Sequence, residues 1–164
     1  MSKGRSFPPV VGPHTRVLIL GSLPGVRSLT VQQYYAHPQN GFWRLAGGVI
    51  GVDLQALPYP ERLAALLAHG IGLWDVIDEA SREGSLDAAI RDHRPNDLAN
   101  LVGALPDLRA IAFNGATAGK LGRKTLADLG RGLALIDLPS SSPAYTLPLA
   151  RKAEAWAVLG QHLR

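Results

Sequence analysis

Residues 34–43, YYAHPQNGFW, set two tyrosines, a histidine, a proline and an asparagine between a glycine-rich turn and an apolar segment. That is more aromatic and polar hardware than a simple connection needs. Taken singly, each residue has a plain use: Asn40 as a helix N-cap, Phe42 and Trp43 in the core, His37 as a brace before Pro38. The combination in this order, a dozen residues after GSLPG (21–25), has no such plain account. In GSLPG, Gly21 and Gly25 permit a close backbone approach to a ligand and Pro24 stiffens the turn. No lysine follows it, so it is not a phosphate-binding GxxxxGK[ST] loop, and Ser22 directly after Gly21 rules out a GxSxG elbow. NGATAGK (114–120) misses the phosphate-loop pattern too, with three residues between its glycines and Leu121 where Ser or Thr is required. Asn114 ends an apolar run, where its amide can both donate and accept toward a nucleobase edge or simply satisfy the loop backbone.

Composition narrows the chemistry. The chain has no cysteine, which removes disulfides, thiolate zinc sites, cysteine nucleophiles and iron–sulfur clusters together. Its five histidines show no metal-ligand spacing, and there is no Ser-His-Asp order with an elbow motif. Neither a metal nor a cofactor is expected. A net charge of +4 is compatible with a polyanionic partner. The basic start, MSKGRSFPPVVGPHTR, lacks the apolar core of a signal peptide, and no apolar run approaches the roughly 20 residues that span a bilayer. A soluble cytoplasmic protein, nucleoid-associated if bacterial, is the expectation.

The elements that must position these residues follow from periodicity. RVLILGS (16–22), IGLWDVID (71–78), RAIAFNG (109–115) and LALIDLPS (133–140) read as buried strands. GFWRLAGGVIG (41–51), PERLAALLAHG (60–70), RPNDLANLVGALP (94–106, capped by Asn96), ATAGKLGRKTLADLG (116–130) and PLARKAEAWAVLGQHL (148–163) read as helices. Strands alternating with helices point to one doubly wound α/β domain over 1–164, with 1–14 as an extended N-terminal arm. In such a fold the ligand site lies off the carboxyl ends of the strands. There GSLPGVRS, the acidic DVIDEASREGS, NGATAGK and PSSSPAY converge.

GSLPG, YYAHPQNGFW and LPSSSPAY (138–145), with GLWDVI, GSLD and FNG between them in order, resemble the uracil-DNA glycosylase superfamily, most closely its hypoxanthine-DNA (deoxyinosine) glycosylase branch. The resemblance spans nearly the whole chain. It implies a three-layer α/β/α fold around a central four-stranded parallel sheet. It also implies a monomeric, monofunctional enzyme that hydrolyses the N-glycosidic bond of a deaminated base, hypoxanthine or uracil, flipped out of double-stranded DNA. Relatives with asparagine in the first motif use it to position the hydrolytic water. Ser22 stands at that place here, and in the hypoxanthine branch the role passes to the asparagine after His-Pro, Asn40. Asn40 cannot act as a strong base but can hold and orient water, which suffices when bond breaking runs ahead of attack.

By the same resemblance Tyr35 stacks on the extruded base and Ser140 stands in the loop that contacts it, while Gly21 and Asn114, by their own chemistry, are candidates to complete the base pocket. Ser141, Ser142 and Tyr145, as wedge, meet the DNA by that resemblance, and Gly25 allows a close approach to it; Lys120, Arg123 and Lys124 share one helix face and, with Arg151 and Lys152, read either as phosphate contacts or as solvated basic faces. The lysines fall on helices or at the terminus, so none is a Schiff-base candidate. Two alternatives stay open: a G:U or G:T mismatch-specific glycosylase, and a catalytically silent DNA-binding module on the same fold.

Overall fold

The computed structural model describes residues 2–82, 85, 87, 90–127, 129 and 132–164, with backbone alone for 2–4, 80–82 and 91–93. Its strands are β1 (Ser2–Arg5), β2 (Val17–Gly21), β3 (Ile71–Asp75), β4 (Ile77–Arg82), β5 (Arg91–Pro95), β6 (Ala110–Asn114) and β7 (Ala134–Leu138). The helices are α1 (Val26–Val31), α2 (Phe42–Ile50), α3 (Tyr59–Ala68), α4 (Leu98–Gly103), α5 (Ala116–Thr125) and α6 (Leu149–Trp156).

The order β3-β2-β6-β7 forms one four-stranded sheet, parallel throughout. Its strands read as continuous apolar runs because both faces are covered. Val17 and Ile19 of β2 point to the layer holding Phe42, Trp43 and Leu45 of α2, Leu66 of α3 and Trp156 of α6. Leu18 and Leu20 point the other way, to Leu98 and Val102 of α4 and Ala118 of α5. This is the three-layer architecture expected. Strand β2 leads the chain order yet sits inside the sheet, with β3 on one side and β6 on the other. The crossovers therefore diverge at the β2–β6 boundary, which leaves a crevice off Gly21 and Asn114.

Several local expectations change. The run 71–78 is two strands: β3 stays in the main sheet, and after Val76 the chain enters a second, antiparallel sheet of order β1-β4-β5. Of the stretch 1–14, expected as an extended arm, the described residues are sewn to the body: Ser2–Arg5 pair with β4, Phe7 is in the core and Val10 bridges Leu73. Asn96 does not cap α4. That task falls to Asp97, which accepts from the Asn100 N–H. The Asn96 amide instead donates to Ser6 Oγ and to the carbonyls of Asp75 and Ile77, bracing the point where the chain leaves one sheet for the other. The glycines of α5 are there for close approach: a Cβ at Gly122 would lie 2.4 Å from the Phe113 ring. Helix α1 has no counterpart in the sequence reading, being only six residues long.

Candidate active site

Gly21 ends β2 directly opposite Asp75 of β3, and a Cβ on Gly21 would lie 2.7 Å from Asp75 Oδ1 and 3.1 Å from the Tyr35 hydroxyl. Glycine is what lets a buried carboxylate and a tyrosine meet beside the strand end. Around this point opens a cavity of about 440 Å³. It is lined by Gly21, Ser22, Gly25, Tyr35, Asn40, Asn114, Ser140, Ser141, Ser142 and Tyr145, all expected at the site. Lys120 is not in the lining, nor are the other expected cations Arg123, Lys124, Arg151 and Lys152; Lys120 stands exposed on α5.

The loop YYAHPQNG is built to hold two of these side chains. Tyr35 has φ +54, a left-handed conformation that a tyrosine adopts only when its surroundings impose it. They do so here: Trp43 Nε1 donates to the Tyr35 carbonyl, and Ser28 Oγ of α1 accepts from the next backbone N–H, of Ala36. One face of the Tyr35 ring lies on Phe42, centroids 3.9 Å apart and planes 11° from parallel. Tyr35 is also one of the residues that line the cavity. Burial first, and the Asp75 carboxylate second, raise the Tyr35 hydroxyl pKa above its ordinary value, so this phenol is a neutral hydrogen-bonding group and not a base. Asn40 accepts from the Phe42 N–H at 2.9 Å, which fixes its carbonyl oxygen toward the start of α2 and leaves one lone pair there, and the amide protons, for a ligand or water.

The serine loop is tied to this assembly from three sides. Ser141 O accepts from the Gly41 N–H at 2.9 Å, joining the two loops directly. Asn114 accepts from the Ser141 N–H at 2.9 Å and donates to Ser141 Oγ at 2.9 Å and to the Tyr35 hydroxyl at 3.3 Å. Both of its amide protons are thus committed, leaving an acceptor lone pair. From below, α6 supplies Trp156 Nε1 to the Pro139 carbonyl and Lys152 Nζ to the Ser142 carbonyl. Ser141 is 2% exposed, so it is a buried tie, whereas Ser140 and Ser142 are half-buried in the lining.

The other cations expected at phosphates divide. Lys152 is not a solvated residue: it is 4% exposed, reaches over the Tyr145 ring, and desolvation lowers its pKa. Arg123 is paired with Asp137 and lies over Phe113. Arg151 and Lys124 are exposed on their helices. Tyr145 is 49% exposed at the mouth, beside the exposed Leu147 and Leu149.

Sequence reasoning passed over Asp87, in the lining, whose carboxylate accepts from Ser22 Oγ at 2.6 Å. The signal was present in GSLD (84–87), of which Gly84 and Leu86 lie outside the described residues. Arg27, Ser28, His37, Asp75 and Ser85 complete the polar part of the wall.

The model of the Uracil DNA glycosylase superfamily matches residues 8–160. A protein named Hypoxanthine DNA glycosylase from Methanosarcina barkeri (strain Fusaro / DSM 804) is 43% identical over 155 residues, covering 94% of this chain and 96% of that one. One of the same name from Methanosarcina acetivorans is 42% identical over 158 residues, covering 96% and 98%. A solution NMR structure from Methanosarcina acetivorans, described provisionally as a uracil DNA glycosylase, superposes with a TM-score of 0.86 at 42% identity over 99% of each chain.

Proposed function

The chain belongs to the Uracil DNA glycosylase superfamily and is a DNA glycosylase, and from that premise we propose that it removes hypoxanthine first and uracil second, acting as a monomer in the cytoplasm on a base flipped from duplex DNA. The observation that carries this reading is the Asn40 amide, locked in orientation at the wall of a cavity whose floor is Gly21, Tyr35 and Asn114.

A deaminated base sits in a weakened pair, which reduces the few kcal/mol that flipping costs. It enters against Tyr35, where stacking contributes about 1–3 kcal/mol. Hypoxanthine and uracil share a ring N–H beside a carbonyl, and the remaining Asn114 lone pair accepts from that N–H. Adenine offers an unprotonated ring nitrogen at the corresponding edge and is disfavoured. As the C1′–N bond stretches, its electron pair moves onto the base and the sugar becomes oxocarbenium-like. Asn40 accepts from a water and presents its oxygen to C1′. Among the described residues no lysine lines the cavity, so water and not an amine is the nucleophile, and the strand stays intact. Ser140 and Ser142 donate to backbone phosphates. Gly25 lets the backbone approach, Tyr145 fills the space the base leaves, and Lys120 adds long-range attraction. Ser141 works through Asn114.

Substrate range is read from duplexes carrying one deoxyinosine, one deoxyuridine or one G:T mismatch, treated with excess enzyme and then alkali. Fastest abasic-site formation at deoxyinosine is expected. Release from G:T or uracil alone would move the protein to the mismatch-specific uracil/thymine glycosylases, and binding without release would mean a silent module.

A further inference from the structure

We propose that Asp87 is a further catalytic residue, the fixed anion that faces the sugar as the glycosidic bond breaks and that takes the proton shed by the attacking water. The inference rests on the glycosylase reading above and deepens it. Ser22 stands where a water-positioning amide would otherwise be found, and its hydroxyl alone carries no charge. The structure pairs it with a carboxylate: Ser22 Oγ donates to Asp87 Oδ1 at 2.6 Å, a length typical of a charge-assisted hydrogen bond. Both residues line the cavity that holds Asn40.

Depth in the cavity assigns the carboxylate to the sugar and not to the base. Asn114 and Tyr35, linked to each other and to the buried Ser141, form the inner end where a base is desolvated. Asp87 is half-buried and sits with Ser85 and Gly25 on the flank of the turn after β2, where Ser85 Oγ accepts from the Val26 N–H. A carboxylate against the carbonyl edge of hypoxanthine would repel it, and more so as the base becomes anionic. Against an oxocarbenium-like sugar the same charge is attractive, and a partly water-excluded wall strengthens that attraction. The hydrogen bond from Ser22 fixes the carboxylate before the charge develops, so little reorganisation is needed at the moment of reaction.

The step balances as follows. The C1′–N9 bond breaks with its electron pair leaving on hypoxanthine. The water held by Asn40 forms the new C1′–O bond, and its proton passes to Asp87. Asp87 then returns that proton to solvent, and the departed base takes one from solvent, so the products are the abasic sugar and neutral hypoxanthine.

An electrostatic role and a merely structural one predict opposite changes in DNA affinity. Asp87→Asn keeps an acceptor for Ser22 and removes the charge. Single-turnover release of hypoxanthine from a deoxyinosine duplex is expected to slow about a hundredfold or more. Affinity for the same duplex is expected to stay equal or to tighten, because a negative charge has left a surface that meets phosphates. Ser22→Ala, which keeps the charge and loses its anchor, is expected to slow release only about tenfold. A rate for Asp87→Asn within twofold of wild type overturns the proposal. So does a joint fall of rate, affinity and melting temperature, matched by Ser22→Ala, which would make the pair a strut for the segment around residue 87. Failure of the wild type to release hypoxanthine would instead overturn the substrate reading on which the proposal stands.

Discussion

Asn114→Ala perturbs the junction on which the site depends, and its cost can be worked from the contacts. The amide is buried, 8% exposed, and makes three hydrogen bonds: it accepts from the Ser141 N–H and donates to Ser141 Oγ and the Tyr35 hydroxyl. Truncation leaves the buried Ser141 N–H without its acceptor, a cost of about 1–3 kcal/mol. The two donated bonds contribute about 0.5–1.5 kcal/mol each, discounted because both hydroxyls can turn toward other acceptors. A loss of about 3 kcal/mol is expected. For a domain of this size that lowers Tm by about 6–12 °C. Urea denaturation followed by tryptophan fluorescence, with thermal melting beside it, measures the loss. Asn114→Asp is the informative partner: its carboxylate still accepts from Ser141 N–H, and both hydroxyls can rotate to donate to it. Its stability cost is expected below about 1 kcal/mol. Base release should nevertheless fall steeply, since the carboxylate repels the charge accumulating on the base. A destabilisation by Asn114→Ala below about 0.5 kcal/mol would refute the view that this amide knits strand β6 to the serine loop.

Gly21→Ala should nearly abolish base release and cost about 1–3 kcal/mol, because its Cβ would meet Asp75 Oδ1 at 2.7 Å; single-turnover kinetics and melting curves check both. For Lys152, desolvation lowers the folded-state pKa below the ordinary lysine value of 10.5, so between the two values the unfolded chain binds more protons and folding stability rises with pH. Denaturation midpoints should therefore climb with pH over that window in wild type relative to Lys152→Met. The same variant should weaken DNA binding by loosening the Ser142–Tyr145 turn. Arg94→Ala, in an exposed network with Asp78 and Glu79, is expected to shift stability by less than about 1 kcal/mol by denaturation.

Buried periodicity made the main sheet and its helices legible: VLILG, AIAFN and ALIDL are strands within a residue or two of expectation, and IGLWD begins where expected but ends three residues sooner. The antiparallel sheet was not legible, since SKGR and RDHRP carry charge where an apolar pattern would have announced a strand. They pair by backbone, and backbone pairing leaves little trace in composition. Lys152 was misjudged for a related reason. Helical spacing places it on the same face as Trp156, four residues on, but a lysine invites the solvated reading unless a buried acceptor is known. GSLD marked the place of Asp87, but the role of its carboxylate was not legible because its partner, Ser22, is 65 positions away in the chain. The motifs that bore the resemblance, by contrast, lie within single loops, and the fold gathers those loops at one sheet edge.

The central claim is that Asn40 directs water at a flipped deaminated base, and single-turnover release of hypoxanthine by wild type and Asn40→Ala tests it most directly. Wild type should produce alkali-labile sites at deoxyinosine, and the variant should do so about a hundredfold more slowly while binding the duplex equally well. Equal rates in the two proteins would contradict the account.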